Sequence, residues 1–179
     1  MKTSVRIIGL TGTNGAGKGE AATFFATHAF KVFSLSDIIR EDLKKKAQPL
    51  SRDNLIHAGN TLRRRFGADV LARRTLKRIR GHSVIDSIRN PSEVEHLRTH
   101  PGFILLAIDA PVAIRFSRVL KRGRIESVST LEDFTAKEKE EMSVDSTSQQ
   151  LHACMTLADH TIINDGTLED LHRQLEIFL

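Results

Sequence analysis

A three-layer α/β fold, with a parallel sheet of about five strands and helices on both faces, is what the 179-residue sequence predicts. Three observations carry that expectation. Short apolar runs alternate from end to end with longer amphipathic stretches, the pattern of strands joined by crossover helices. The run at 103–108 shows no apolar/polar alternation, as required of a strand covered on both faces. The glycine-rich segment Gly12-Thr13-Asn14-Gly15-Ala16-Gly17-Lys18-Gly19 lies between the first apolar run and the first helix-like stretch.

In chain order, residues 5–10 read as the first strand and 20–28 as the helix that follows the glycine loop. Residues 30–35 are short, apolar and bounded by polar residues, which suits a second strand. Ser36 then reads as a helix cap and Asp37 as an acid at the positive end of the helix dipole, with the helix running through Lys46 until Gln48-Pro49 stops it. The next helix starts near Arg52. Leu55, Ala58, Gly59, Leu62 and Phe66 share one face, Arg63, Arg64 and Arg65 point elsewhere, and Gly67 ends it.

Residues 68–80 are helical in composition, Gly81-His82 is the break, and 83–86 form a buried strand that ends in the carboxylate of Asp86. Asn90-Pro91 predicts an N-cap with proline at the first helical position. After the strand at 103–108, Asp109-Ala110-Pro111 opens a helix whose apolar stripe is Val112, Phe116, Val119 and Leu120, with Arg115, Arg118 and Arg122 on a different face. Residues 123–129 read as a polar loop. Ser129-Thr130-Leu131-Glu132 fits a capping box for a charged helix to about Met142, and another helix is expected over 147–158. A last strand at 160–163 and the turn Asn164-Asp165-Gly166 lead to a terminal helix with Leu168, Leu171, Leu175 and Phe178 as its stripe.

The chain suits one domain over residues 1–179, large enough to bury roughly 70% of the surface its unfolded form exposes. No repeat, low-complexity tract or linker marks a boundary. Cys154 is the single cysteine, so neither an intramolecular disulfide nor a cysteine zinc cluster can form, and it reads as a small core hydrophobe. The apolar runs are strand-sized, and the one near the N-terminus flows straight into the glycine loop, so neither a membrane nor a signal peptide is expected and the location expected is cytoplasmic. The net charge is +5, but basic and acidic residues are interspersed without a basic tail. Nucleic acid is therefore not expected as a partner; small anionic nucleotides account for the excess. The oligomeric state stays open.

The spacing G-x-x-x-x-G-K between a strand and a helix is a phosphate cradle, or P-loop. Gly12, Gly15 and Gly17 allow positive φ, so successive N–H groups converge on phosphate oxygens, and Lys18 adds a charge for the β- and γ-phosphates. Thr13, Asn14, Ala16, Gly19 and Glu20 complete the candidate ATP-binding segment. Gly19 stands where most P-loops place a hydroxyl on Mg²⁺. Phosphoryl transfer needs charge neutralisation and alignment more than covalent help, so a magnesium-associated acid and several arginines are the other signals. Asp86, at a strand end, can orient water on Mg²⁺. Arg89, three residues on, can hold an acceptor phosphate, and Arg40 follows the second strand closely enough to face the same cleft. Arg118 and Arg122, one helical turn apart with Arg124 beyond, precede the polar loop and suggest a lid over 118–142. The eight histidines show no metal-ligand spacing.

GTNGAGKG at 12–19, SLSDIIR at 34–40, VIDSIR at 84–89, RVLKRGR at 118–124 and ADHTIINDGTLEDL at 158–171 together resemble the P-loop nucleoside and nucleotide kinases, adenylate and UMP/CMP kinases being the nearest named relatives. The resemblance implies transfer of the γ-phosphate of Mg-ATP to a nucleoside monophosphate. It implies an acceptor-binding helical segment at about 36–66 containing Ser36, Asp37 and Arg40, an acceptor-phosphate role for Arg89, lid roles for Arg118 and Arg122, and Asp86 near magnesium. Gly19 is shared with those kinases, whose magnesium is held largely through water. Three departures bear on the acceptor: Asp86-Ser87-Ile88-Arg89 is one residue shorter than the family's Asp-Gly-Phe-Pro-Arg, the lid is short, and Glu93 stands where adenylate kinases place an adenine-reading Gln. Glu20 replaces their Thr. Dephospho-CoA kinase shares the P-loop, a short lid and a similar ending, and is the alternative. An ATP-dependent switch with weak ATPase activity is the alternative of another class.

Overall fold

The computed structural model describes residues 5–123, 130–140 and 149–179. Five strands and nine helices follow one another in these segments: β1 (Ile7–Gly12), α1 (Lys18–Thr27), β2 (Lys31–Ser34), α2 (Leu35–Lys45), α3 (Arg52–Phe66), α4 (Val70–Leu76), β3 (Ser83–Asp86), α5 (Pro91–Leu97), β4 (Phe103–Asp109), α6 (Val112–Arg122), α7 (Leu131–Glu140), α8 (Leu151–Thr156), β5 (His160–Ile163) and α9 (Leu168–Glu176). The strands form one parallel sheet in the order β2-β3-β1-β4-β5. No helix among the described residues is long and apolar enough to cross a membrane.

Alternation along the central strands divides the core into two layers. Ile7, Ile85 and Leu105 face the side covered by α2, α3, α4, α5 and α8, where Leu35, Ile39, Leu62, Leu71, Val94 and Cys154 join them. Ile8, Leu10, Val84, Leu106, Ile108 and Ile162 face the other side, against Phe24 and Phe25 of α1 and Leu171 and Leu175 of α9. Every residue of β1 is buried because β3 and β4 pair with it on either edge and helices cover both faces. A third, small cluster joins α6 to α7 through Phe116, Val119 and Phe134.

Several boundaries differ from the sequence reading, each for a local reason. β1 continues to Gly12 because Thr11 and Gly12 remain in register with Ala107 and Ile108. Helix α1 begins two residues earlier than expected, at Lys18, with Gly17 at φ 107° as the turn into it. Ser36 is not a cap: α2 starts at Leu35, and Ser34 occupies the N-cap position with its hydroxyl turned to Ser36 and Ser87. The helix expected over 68–80 ends at Leu76, where the chain tightens into the bonds Arg78 N to Thr75 O and Ile79 N to Leu76 O. Phe66 leaves the apolar face of α3 and lies exposed beneath the guanidinium groups of Arg65 and Arg74, 5.1 and 5.0 Å from its ring centre. Ser129, Met142 and Thr147, expected to bound two helices, lie outside the described residues, as do Arg124 and the rest of the loop at 124–129. Thr130 supplies a cap at α7, its hydroxyl accepting from Asp133 N at 3.1 Å.

Candidate active site

The carboxyl ends of the parallel strands gather at one edge of the sheet, the place where this topology leaves a crevice for ligands. There β1 delivers the glycine loop. Gly12 has φ 132°, and a Cβ on it would lie 1.9 Å from the carbonyl oxygen of Ile108; at Gly17, φ 107°, a Cβ would lie 2.3 Å from Nδ2 of Asn164. The loop is braced from three directions. Thr13 Oγ1 donates to Asp109 Oδ1 (2.6 Å), Asn164 Nδ2 donates to Ala16 O (2.7 Å), and Thr11 Oγ1 donates to Ile88 O (2.9 Å). Each brace comes from the end of a strand, or the residues just after one, so the sheet itself sets the loop's shape.

Lys18 Nζ donates to the carbonyl oxygens of Gly12 (2.7 Å) and Thr13 (2.8 Å), across the mouth of the loop. Burial pushes its ammonium down to about 8; Arg89, Arg115 and Arg122 push the same way and Asp86 opposes them. Desolvation also lowers Arg89, with Asp86 and Glu93 opposing. Lys18, Asp86 and Arg89 are thus within electrostatic reach of one another. Asp86 Oδ1 accepts from Ser87 N at 2.6 Å. Among the described residues no cluster of three His, Cys, Asp or Glu side chains forms a ready-made metal cage. One carboxylate beside a phosphate cradle still suits Mg²⁺, which keeps several waters and shares its ligands with phosphates.

Beside this loop a cavity of about 150 Å³ is lined by Ser36, Arg40, Arg52, Arg63, Ser87 and Arg89, together with the apolar side chains of Ile39, Leu55, Ile56 and Leu71. Arg89 Nη1 donates to Gln149 Oε1 at 2.8 Å, and Gln150 N to Arg89 O at 2.7 Å. Asp37 is exposed outside the cavity lining and holds Arg40 from behind, at 3.0 Å. Arg40 also donates to Ser36 Oγ. Of the residues expected at an acceptor site, Ser36, Arg40 and Arg89 therefore come together directly.

Glu93 requires a correction. It is fully buried, and both of its oxygens are occupied. Oε1 accepts from Arg63 Nε (3.0 Å) and Nη2 (2.8 Å), while Oε2 accepts from the backbone N–H of Arg89 (3.0 Å) and Asn90 (3.1 Å), closing the capping box of α5. It fixes the backbone of Arg89 instead of facing a ligand. Its partner Arg63 was expected to point away from the apolar face of α3, yet it is 3% exposed. Nothing in the local run Arg63-Arg64-Arg65 singles out the first; only the carboxylate 30 residues away does.

Arg118 and Arg122 lie on the other side of the glycine loop. With Gly17, Glu20, Asn164 and Leu168 they line a second depression, and Arg118 approaches Asn164 Oδ1 at 3.4 Å. Glu20, Arg118 and Arg122 are thus neighbours in this second depression. Arg115, expected on the same face, is instead 7% exposed. Its guanidinium donates to Ala110 O (2.7 Å) and Asn14 O (3.3 Å), and it pairs with Glu138 of α7. The sequence spacing missed it because the stripe it belongs to packs on the loop and α7 rather than on the sheet.

The family model described as an AAA domain matches residues 8–145 of the chain. A UPF0200 protein of Pyrococcus horikoshii is 32% identical over 179 residues, covering 95% of this chain and 94% of its own. A UPF0200 protein of Sulfurisphaera tokodaii is 29% identical, covering 98% and 96%. Among solved structures, shikimate kinase from Bacteroides thetaiotaomicron superposes with a TM-score of 0.62 at 14% identity, covering 97% of this chain and 98% of that one. That likeness extends to the parallel sheet, its flanking helices and the kinase-like fold.

Proposed function

The chain belongs to the UPF0200 family of AAA-domain proteins, and from that premise we propose that it transfers the γ-phosphate of Mg-ATP to a nucleoside monophosphate. The observation that carries the reading is the cavity beside the glycine loop, where Arg40, Arg52 and Arg89 bring guanidinium groups to one small space and Arg63, paired with Glu93, forms part of the wall. Planar guanidinium forks match phosphate oxygens, so a cavity lined by them suits a phosphate-bearing acceptor better than a neutral hydroxyl compound.

Mg-ATP would supply the phosphoryl group and part of the charge neutralisation. Residues 12–20 would hold its phosphates through backbone N–H groups at the N-terminus of α1, and Lys18 would add a point charge there. Asp86 would hold water on the metal. Arg40 and Arg89 bind and orient the acceptor phosphate, and the fixed backbone of Arg89 keeps that orientation without reorganisation. Arg118 and Arg122, from the donor side, stabilise charge that develops on transfer, while the apolar wall of Ile39, Leu55, Ile56 and Leu71 excludes water from the acceptor. Glu20 gives the donor side a carboxylate amid this positive charge.

Incubating the protein with γ-labelled ATP and a panel of AMP, CMP, UMP, deoxynucleoside monophosphates, dephospho-CoA and nucleosides tests the reading. Label is expected in a nucleoside diphosphate. Label in CoA alone would replace the acceptor by dephospho-CoA. Release of inorganic phosphate with every compound unlabelled would point to an ATP-driven switch.

A further inference from the structure

Three non-glycine residues among those described have positive φ: Ala29 (65°), Ala47 (51°) and Ser87 (67°). Two of them have an ordinary explanation. Ala29 and Ala47 each follow a helix, and the next residue's N–H returns to the last turn, Phe30 N to Phe25 O and Gln48 N to Leu43 O, as a left-handed residue closing a helix allows. Ser87 closes no helix. It follows strand β3, lines the acceptor cavity, and is held in place by its own N–H on Asp86 Oδ1 (2.6 Å). A residue kept in a sparsely populated backbone region, where glycine would fit without cost, points to a use for its side chain.

The hydrogen bonds around Ser87 define that use. Arg40 Nη1 donates to Ser36 Oγ. Ser34 Oγ donates to Ser87 Oγ at 3.0 Å. Ser34 has one hydroxyl proton, so in its 2.8 Å contact with Ser36 it must be the acceptor and Ser36 the donor. The chain of donors therefore runs in one direction, Arg40 to Ser36 to Ser34 to Ser87. A cation at its head polarises every bond along it. The last proton, on Ser87 Oγ, has no acceptor among the described residues and belongs to a side chain that lines the cavity.

We propose that Ser87 is an acceptor-contact residue, its hydroxyl donating to a phosphate oxygen of the ligand in the arginine-lined cavity, and that the strained backbone at Ser87 is retained to aim that hydroxyl. The inference rests on the phosphate-acceptor reading above and deepens it. It also separates two roles that usually travel together, because glycine at this position relieves the backbone while removing the donor.

The test compares wild type, Ser87→Gly and Ser87→Ala by thermal unfolding without ligand, by titration with AMP, CMP, UMP and inorganic phosphate, and by turnover with the productive monophosphate. Both variants lose the hydroxyl that accepts from Ser34, so Ser87→Gly is expected to unfold about 2–4 °C above Ser87→Ala through backbone relief and to weaken monophosphate binding about tenfold relative to wild type. Ser87→Ala should weaken binding equally without that backbone relief. Monophosphate binding unchanged in both variants overturns the inference, even where transfer proceeds and the kinase reading stands. Binding lost in both variants, with wild type binding monophosphate but transferring nothing, upholds the inference and removes the kinase reading. A wild type that binds none of the four ligands overturns both.

Discussion

Lys18 shows how one side chain couples site chemistry to stability. Its ammonium is lowered from 10.5 to about 8 mainly by burial. The charged form is thus disfavoured in the folded, unliganded protein. Between pH 8 and 10.5 the unfolded chain binds the extra proton, so stability conferred through this group rises across that window and is flat below it. Lys18→Met should abolish that rise, which pH-dependent unfolding curves measure, and should lower phosphoryl transfer about 100-fold or more, measured by turnover. ATP affinity of wild type should fall as pH passes 8, since the neutral amine no longer attracts phosphate. Arg63 carries a prediction of another kind. Removing one partner of a buried pair leaves the other charge unmatched, so Arg63→Ala should cost about 3–5 kcal/mol by denaturant titration. The place of the glycine loop between β1 and α1, and of Asp86 at the end of β3 with Arg89 just beyond it, were legible because they are tied to local spacing. Arg63 was not, because its meaning depends on Glu93 across the fold, and Glu93 in turn was misread because a family position suggested a ligand where the chain uses a helix cap.

Elements were legible wherever periodicity and punctuation agreed: α3 starts at Arg52 and stops before Gly67 as the sequence implies, and Asn90-Pro91 opens α5. They were illegible where a helix packs on something other than the sheet. Helix α6 exposes Val112 and Leu120 from its expected apolar stripe and buries Arg115, because its inner face meets the glycine loop and α7. Arg115 is the tie between these elements. Its pair with Glu138 and its bond to Asn14 O join α7 to the loop's outer wall, and its guanidinium lies 5.6 Å from the ring centre of Phe134. Arg115→Met should therefore loosen α7 before it unfolds the domain. Amide exchange over 131–140 is expected to accelerate about tenfold or more, with β1 and β4 still protected; equal acceleration in the central strands would assign Arg115 to global stability.

For the whole molecule, the alternation of strands and helices was enough to predict the layers, and the order β2-β3-β1-β4-β5 then puts the arginine-lined cavity and the depression at Arg118 and Arg122 on opposite flanks of the central loop. The net charge of +5 favours the approach of anionic ligands to the molecule. Under the proposed monophosphate transfer, raising salt to about 1 M, where the screening length is about 3 Å, should raise KM for the acceptor about tenfold with a smaller effect on kcat, as steady-state assays would measure. The brace from Asn164 to Ala16 has a consequence in time. The two residues are 148 positions apart, so at ribosomal speeds of about 5–20 residues per second the motif is made roughly 7–30 s before the side chain that completes it. During that interval a nascent chain displays a nucleotide motif without a finished nucleotide site, and competence arrives only with the last strand.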